Sequence, residues 1–194
     1  NITDKSGAFT DIVDGSSGTD TLVIDYTGIS NLGDFTITYD SSTGYITLTD
    51  TNGGVIKFKS IEDLTVGDYA YTRVFVDRNY TPEAKDAYWN STEKVLYLFD
   101  GASLASDVWK TTGSDELTGL SINDNVTVQG SSGGDTLNLN VNRASGEDYT
   151  GNWTLNMGAG NDIFLSAKLK DADSVDMGAG DDTVYLMLGT NGTS

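Results

Sequence analysis

The sequence contains neither cysteine nor histidine among its 194 residues. The missing thiols exclude a disulfide framework and thiolate chemistry. The missing imidazoles exclude the familiar nucleophile–histidine triads and histidine-containing zinc sites. Proline occurs once, at Pro82, and no apolar run is long enough to span a bilayer. We therefore expect no membrane insertion and no enzyme activity, although a paired-carboxylate glycosidase or a Tyr/Lys/Arg lyase stays open in principle.

Positive charge is also scarce, because 11 bases face 29 acids and the formal net charge is −18. This balance argues against nucleic acid and against an anionic membrane surface as partners. An acidic surface can serve solubility alone. It can also supply carboxylates for cations, and the positions of the acids favour the second interpretation.

Glycine is abundant and forms a repeated turn with aspartate. The frame Gly-x-Gly-x-Asp-x-apolar occurs at 158–164 and again at 178–184, 20 residues later. Looser copies place further aspartates at the equivalent turn position, and the full set is Asp20, Asp115, Asp135, Asp162 and Asp182. Glycines allow tight turns that direct carbonyl oxygens inward, and hard oxygen donors suit Ca²⁺.

Calcium is accordingly the expected cofactor. The candidate metal ligands are the turn residues of these copies: Asp20, Asp115, Asp135, Gly158, Gly160, Asp162, Gly178, Gly180 and Asp182. Ordinary tight turns in a solvated acidic scaffold remain an alternative, and the role of Asp171, Asp173 and Asp176 stays open.

The strand pattern predicts a mainly β fold, specifically a calcium-binding β-solenoid or β-roll-like scaffold with a small α/β insertion. From residue 113 onward, turns and short alternating strands recur with spacings of 20 and 27 residues. Stacked coils of this kind bury their apolar faces against their neighbours. Residues 34–67 instead predict an antiparallel meander, with turns at Asp40–Gly44 and Asn52–Gly54.

The segment 68–112 differs from the remainder because it holds 9 of the 19 aromatic residues. We expect a single domain, 1–194, in which 1–67 and 113–194 form the scaffold and 68–112 is an inserted ligand-binding lobe. Within the lobe, 81–89 predicts a short helix and 94–99 a strand. Interfaces favour Tyr, Trp and Arg, so the candidate ligand-binding residues are Arg73, Arg78, Tyr80, Tyr88 and Trp89, with Ser132 and Gly133 of a scaffold turn completing a cleft.

The chain resembles modules of the large RTX adhesins, the calcium-stabilised surface proteins of Gram-negative bacteria. The resemblance rests on the two full Gly-x-Gly-x-Asp turns, on Ile61-Glu62-Asp63-Leu64, and on the interruption of the repeat between 67 and 113. More narrowly, the layout is similar to the peptide-binding split domain of such proteins. The resemblance implies a secreted, cell-surface module, monomeric within a longer chain, that acts in adhesion and biofilm formation.

The implied partner is a peptide, through its free C-terminus, on a surface protein of a host or neighbouring cell. Two other functions remain open. Calcium with exposed aromatic rings would also suit a glycan-binding, lectin-like module, and a calcium-stiffened spacer would bind no ligand. The aromatic residues of 68–112 can alternatively form the core of that segment.

Overall fold

The computed structural model describes residues 1–75, 86–99, 101–104, 109, 117–121, 123–139, 151–166, 169 and 171–186. Within these ranges the fold is mainly β, as the alternating pattern predicts, and there is no α-helix. A 3-10 turn lies at Leu32–Asp34. None of the described ranges contains a helix with the length and hydropathy needed to cross a membrane.

The first nine strands are β1 (Ile2–Thr3), β2 (Thr10–Asp14), β3 (Thr21–Asp25), β4 (Phe35–Asp40), β5 (Tyr45–Asp50), β6 (Val55–Lys59), β7 (Asp63–Val66), β8 (Tyr69–Phe75) and β9 (Asp86–Asn90). The others are β10 (Val95–Leu98), β11 (Ser103–Leu104), β12 (Val126–Gln129), β13 (Thr136–Asn138), β14 (Trp153–Asn156), β15 (Ile163–Ser166), β16 (Ser174–Asp176) and β17 (Thr183–Leu186).

The C-terminal half consists of strands that alternate between two parallel arrays. One array is β11-β13-β15-β17, and the other, β12-β14-β16, forms one end of a nine-stranded sheet. Thr136 pairs with Ile163 and Ile163 with Thr183, offsets of 27 and 20 residues. The other array has the same offsets, since Thr127 pairs with Thr154 and Thr154 with Ser174. The predicted parallel stacking of these strands is confirmed.

The N-terminal half contains the predicted antiparallel meander, in which β5 pairs with both β4 and β6. Strand β6 also pairs in parallel with β2, which completes a four-stranded sheet ordered β2-β6-β5-β4. Strands β1, β3 and β7 are parallel neighbours at the other end of the nine-stranded sheet. Strand β4 therefore lies at the edge of its sheet.

The described part of 68–112 does not form a separate lobe, which corrects the expected inserted domain. Its strands β8, β9 and β10 lie in the middle of the nine-stranded sheet, between β7 and β12. Antiparallel pairing joins β7 to β8, β8 to β9 and β9 to β10, and β10 then pairs in parallel with β12. The aromatic segment thus connects the two halves through main-chain hydrogen bonds.

The helix expected at 81–89 is wrong for its described part, because Asp86 to Trp89 belong to β9. Ala87 and Trp89 pack in the C-terminal hydrophobic core, whereas Tyr88 packs in the N-terminal core. A strand that is buried on both faces lacks polar alternation and cannot be distinguished from a buried helix by periodicity. The strand predicted at 94–99 is confirmed as β10, and 81–85 lie outside the described residues.

Candidate functional site

The repeated aspartates form a hydrogen-bonded ladder along one side of the C-terminal half. Each of Asp135, Asp162 and Asp182 directly precedes a strand of the β13-β15-β17 array. The Oδ1 atom of Asp162 accepts from the backbone N–H of Asp135 at 2.7 Å. The Oδ1 atom of Asp182 accepts from the N–H of Asp162 at 2.9 Å. Asp162 and Asp182 therefore each cap the equivalent residue of the preceding turn.

The same arrangement occurs in the N-terminal half with a glutamate. Because β3 pairs in parallel with β7, Asp20 lies opposite Glu62. The Oε2 atom of Glu62 accepts from the N–H of Asp20 at 3.0 Å. Asp173 acts similarly at the opposite turns, where its Oδ1 accepts from the N–H of Trp153 at 2.8 Å. These acids satisfy backbone donors that no strand pairing reaches.

The glycines of the predicted metal turns allow the turns to stack in contact. A β-carbon on Gly178 would lie 1.8 Å from the carbonyl oxygen of Gly158. A β-carbon on Gly180 would lie 1.6 Å from the carbonyl oxygen of Gly160. The N–H of Ala179 donates to the carbonyl of Gly158 at 3.0 Å. Only glycine permits this approach, so the repeat has a steric role that does not require metal.

Two of the ladder carboxylates are electrostatically unfavourable in their present surroundings. Burial raises the pKa of Asp135 to about 6. Burial likewise raises the pKa of Asp162, and the negative charge of Asp182 adds to this effect. The Oδ2 atoms of Asp162 and Asp20 are buried and accept no hydrogen bond. A proton or a cation would stabilise Asp135 and Asp162.

The donor set fits a hard cation in part. The unpartnered Oδ2 atoms of Asp162 and Asp20 offer charged oxygens, and the stacked glycine turns offer carbonyl oxygens. However, the described residues include no group of three or more acidic side chains close enough to hold a metal ion. A calcium ion bound at Asp162 or at Asp20 would depend on backbone carbonyls for the rest of its coordination. Asp115 lies outside the described residues.

The aromatic and basic residues proposed for ligand binding are placed elsewhere. Tyr88 and Trp89 are fully buried, with the Tyr88 hydroxyl donating to the carbonyl of Ile61. Arg73 donates through Nε to Oδ2 of the buried Asp86 at 2.8 Å. The expectation that Tyr88 and Trp89 lie on an exposed binding surface is therefore wrong, because both rings are packed in the cores. Arg73 is partly exposed, and its role in ligand binding stays a prediction. Arg78 and Tyr80 lie outside the described residues.

A cleft of about 380 Å³ is present between the two halves. Three chain segments meet there, and the residues that line it are Gly33, Phe35, Thr36, Ile37, Tyr97, Leu98, Gln129, Gly130, Ser131 and Ser132. Ser132 was a candidate from the sequence, and Gly133 follows it directly. Ser131 belongs to the same turn, 131–134, which was expected to complete a cleft. The remaining lining residues were not identified, since they come from positions 33–37, 97–98 and 129–130. The glycine–serine run at 130–134 was the available signal.

The cleft is lined by uncharged side chains, in a protein whose net charge is −18. Burial raises the pKa of Tyr97 to about 12, so its hydroxyl remains protonated at neutral pH. The side chain of Gln129 accepts from Asn156 through Oε1 at 3.3 Å. Hydroxyl and amide groups of this kind can bind a carboxylate or a peptide group without a charged partner.

Ser131 connects the cleft to the aspartate ladder. Its backbone N–H donates to Oδ2 of Asp135 at 2.7 Å, and its hydroxyl contacts both oxygens of the same carboxylate at 3.1 Å. Its carbonyl accepts from the N–H of Ala159, one turn further along, at 3.0 Å. A change in the charge of Asp135 would therefore act on a wall of the cleft.

No family model matches this chain, and no curated protein sequence matches it. The similarity to calcium-repeat adhesins stays a prediction that rests on the glycine–aspartate turns and on the layout of the chain.

Proposed function

We propose that the chain is a calcium-dependent adhesin module that binds a peptide end in the cleft between its two halves. The observation that supports this most directly is the contact of Ser131 with Asp135, which couples the cleft to the candidate cation turns. In this proposal the module belongs to the RTX adhesins, acts at the bacterial cell surface, and works by binding rather than by catalysis.

The scaffold in this proposal is a β-solenoid, at least over the described strands β12 to β17. The equal offsets in the two parallel arrays support it, because a chain that contributes one strand to each array per turn is wound as a coil. The stacked glycine turns then lie on one side of the coil and the Asp173 cap on the other.

Calcium would be held at two separate places, one at the unpartnered oxygen of Asp162 and one at that of Asp20, each with carbonyl oxygens of the adjacent turns. When bound, it would supply the positive charge that offsets the mutual repulsion of Asp135, Asp162 and Asp182. The chain itself aligns these carboxylates, because Asp162 and Asp182 accept hydrogen bonds from backbone N–H groups of the preceding turn. Turn positions and cleft wall would then be fixed together.

Without calcium, the free energy of unfolding should fall as the pH rises, and calcium should prevent this fall. In a chelator, the raised pKa of Asp135 means that the folded protein binds a proton more tightly than the unfolded chain does. Its stabilising contribution is therefore present below about pH 4 and lost as the pH rises through about 6. The shift from 3.8 to about 6 corresponds to about 3 kcal/mol at neutral pH.

Calcium should remove this loss, so we expect the melting temperature at pH 7.5 to fall by about 6–12 °C in EDTA. Asp162→Asn should abolish most of the difference. Asp25→Asn provides the control, because Asp25 is exposed and the charge change is identical. Equal melting temperatures with and without calcium in the unmodified chain would count against the calcium proposal. The measurement is thermal unfolding from pH 4 to pH 8.

An extended peptide suits the dimensions and chemistry of the cleft. A volume of about 380 Å³ accommodates a few residues, in the range of ordinary ligand pockets. Because the surrounding surface is acidic, an anionic peptide end would be repelled unless neutral donors or a cation received it. The Tyr97 hydroxyl and the Ser132 side chain are neutral groups on opposite segments of the lining.

The geometry disfavours the lectin-like alternative and favours the spacer alternative. The burial of Tyr88 and Trp89 removes two of the rings that a lectin-like module would use for stacking on a sugar. The spacer alternative gains support, since an inserted lobe was the reason to disfavour it and the described part of 68–112 belongs to the sheet. Binding experiments are needed to separate a spacer from a peptide-binding module.

A library of peptides with free C-termini should yield ligands that bind in calcium and lose binding when their C-termini are amidated. Tyr97→Phe and Ser132→Ala should each weaken the best ligand about five- to tenfold, the value of one hydrogen bond. Ser6→Ala, at an exposed position that does not line the cleft, should not change the affinity. Isothermal titration calorimetry measures all three, and a glycan array run in parallel tests the lectin alternative. If no peptide binds, or if both cleft variants bind normally, the assignment of the cleft is wrong.

A further inference from the structure

The last described strand of the C-terminal half exposes an apolar position that is buried in the three preceding strands of its array. Leu104, Leu137, Phe164 and Val184 occupy equivalent positions in consecutive strands of the β11-β13-β15-β17 array. The first three are 0–1% exposed, whereas Val184 is 44% exposed. Leu186, two residues further along the same strand, is 53% exposed. An apolar strand at the end of a repeat array ordinarily needs a cap.

The aspartate ladder is also incomplete at this end. The N–H of Asp135 donates to Asp162, and the N–H of Asp162 donates to Asp182. Within the described residues, no carboxylate accepts from the N–H of Asp182. The next member of the ladder would be an aspartate in the same register, one turn further.

The backbone of the turn at 178–180 has the same geometry as the turn at 158–160, on which the later turn stacks. Gly158 and Gly160 present carbonyl oxygens against which only the glycines at 178 and 180 can fit. Gly178 and Gly180 repeat this sequence and geometry, with positive φ angles of 78° and 146°. Residues 187–194 contain no Gly-x-Gly-x-Asp frame.

We propose that the face formed by β16 and β17 docks one further coil with the sequence Gly-x-Gly-x-Asp-x-apolar. The partner is a polypeptide of that repeat chemistry, seated in parallel with β16 and β17. Its aspartate accepts from the N–H of Asp182, its glycines contact the carbonyls of Gly178 and Gly180, and its apolar residue covers Val184. This repeats the interface already present between the turns at 158–164 and 178–184.

A second copy of this chain is a poorer occupant. A twofold pairing of β17 with its equivalent would be antiparallel, and it could not place an aspartate at the N–H of Asp182 in the register of the ladder. The proposal does not depend on calcium binding or on a peptide ligand.

The test is a variant of the full chain in which a second copy of residues 167–186 is inserted after Leu186. The matched control is the same insertion with the two turn glycines and the turn aspartate of the added copy replaced by alanine. We expect the first variant to slow amide exchange at Asp182 about tenfold, as a newly bonded amide should. It should also melt at a higher temperature and bind less of a hydrophobic dye than the unmodified chain.

The control should resemble the unmodified chain in all three measurements. Two results would overturn the proposal: equal exchange at Asp182 in the variant and its control, or light scattering that shows the unmodified chain to be a dimer with Asp182 and Val184 already protected. Should a poorly folded variant complicate the exchange measurement, a 20-residue peptide with the sequence of 167–186 offers a second route. Added to the unmodified chain, it should slow exchange at Asp182, and a peptide with alanine in place of its turn aspartate should not.

Discussion

Replacing Arg73 with methionine should destabilise the protein by about 3–5 kcal/mol, because the substitution leaves a buried carboxylate without its counter-charge. Arg73 and Asp86 lie on adjacent strands, β8 and β9, and their side chains are 18% and 1% exposed. Burial raises the pKa of Asp86 even though the charge of Arg73 opposes the shift. Without the guanidinium, that pKa should rise further, so the loss of stability should be larger at pH 8 than at pH 5.

The double variant Arg73→Met, Asp86→Leu should recover most of the loss, since two apolar groups of similar volume can replace a buried ion pair at little cost. Lys5→Met provides the control, because the Lys5–Asp11 pair is about one-third exposed on both sides and should contribute less than about 1 kcal/mol. Urea unfolding measures all three variants. If Arg73→Met unfolds like the unmodified chain and weakens only peptide binding, Arg73 is a ligand-binding residue after all.

Gly158→Ala should cost about 3 kcal/mol or more, whereas Gly28→Ala should cost only about 1–2 kcal/mol. Both glycines have the same left-handed backbone, with φ angles of 95° and 94°, so the conformational strain of alanine is equal and about 1–2 kcal/mol. The two positions differ in how much room surrounds an added β-carbon. A β-carbon at Gly158 would lie 2.1 Å from the carbonyl oxygen of Ser131, whereas nothing lies within 4 Å of one at Gly28.

The additional loss at Gly158 therefore measures how closely consecutive turns are packed, because relieving the overlap requires the turns to separate. Guanidinium unfolding of the two variants gives the comparison. Since Ser131 lines the cleft, Gly158→Ala should also weaken any ligand bound there, while Gly28→Ala should not. Equal losses of stability in the two variants would mean that the turns at 131 and 158 do not touch in solution.

The repetitive parts of this fold could be predicted from the sequence, because their signals are local and periodic. The 20- and 27-residue spacings of the turn aspartates are the same offsets that relate paired strands in both parallel arrays. The meander at 35–59 was also predicted, since its turns at 40–44 and 52–54 are rich in glycine, asparagine and aspartate. In both regions most strands alternate apolar and polar residues, so the strand period is visible in the sequence.

The centre of the sheet could not be predicted, because strand β9 is buried on both faces. Its sequence, Asp86 to Asn90, combines a buried acid with alanine, tyrosine and tryptophan, and no polar face reveals the strand period. The concentration of aromatic residues suggested a binding surface, but most of the rings whose burial is described pack inside the two cores. Composition alone does not distinguish an aromatic core from an aromatic interface.

The candidate site was predicted in part. The turn aspartates were identified as a related set, and the structure brings Asp135, Asp162 and Asp182 together. Their role as acceptors for backbone N–H groups was not anticipated, since the same spacing serves metal binding and hydrogen bonding equally well. The cleft escaped prediction except at Ser131 and Ser132, because Tyr97 and Phe35 approach this turn only through long-range packing.

Strand β9 links the unfolding of the two hydrophobic cores. Neighbouring residues of this strand belong to different cores, with Trp89 on one side and Tyr88 on the other. Removing the strand would expose both cores at once, so we expect that neither half can unfold independently of the other. The two halves accordingly behave as one cooperative unit, and tension applied to either half is resisted by the whole sheet.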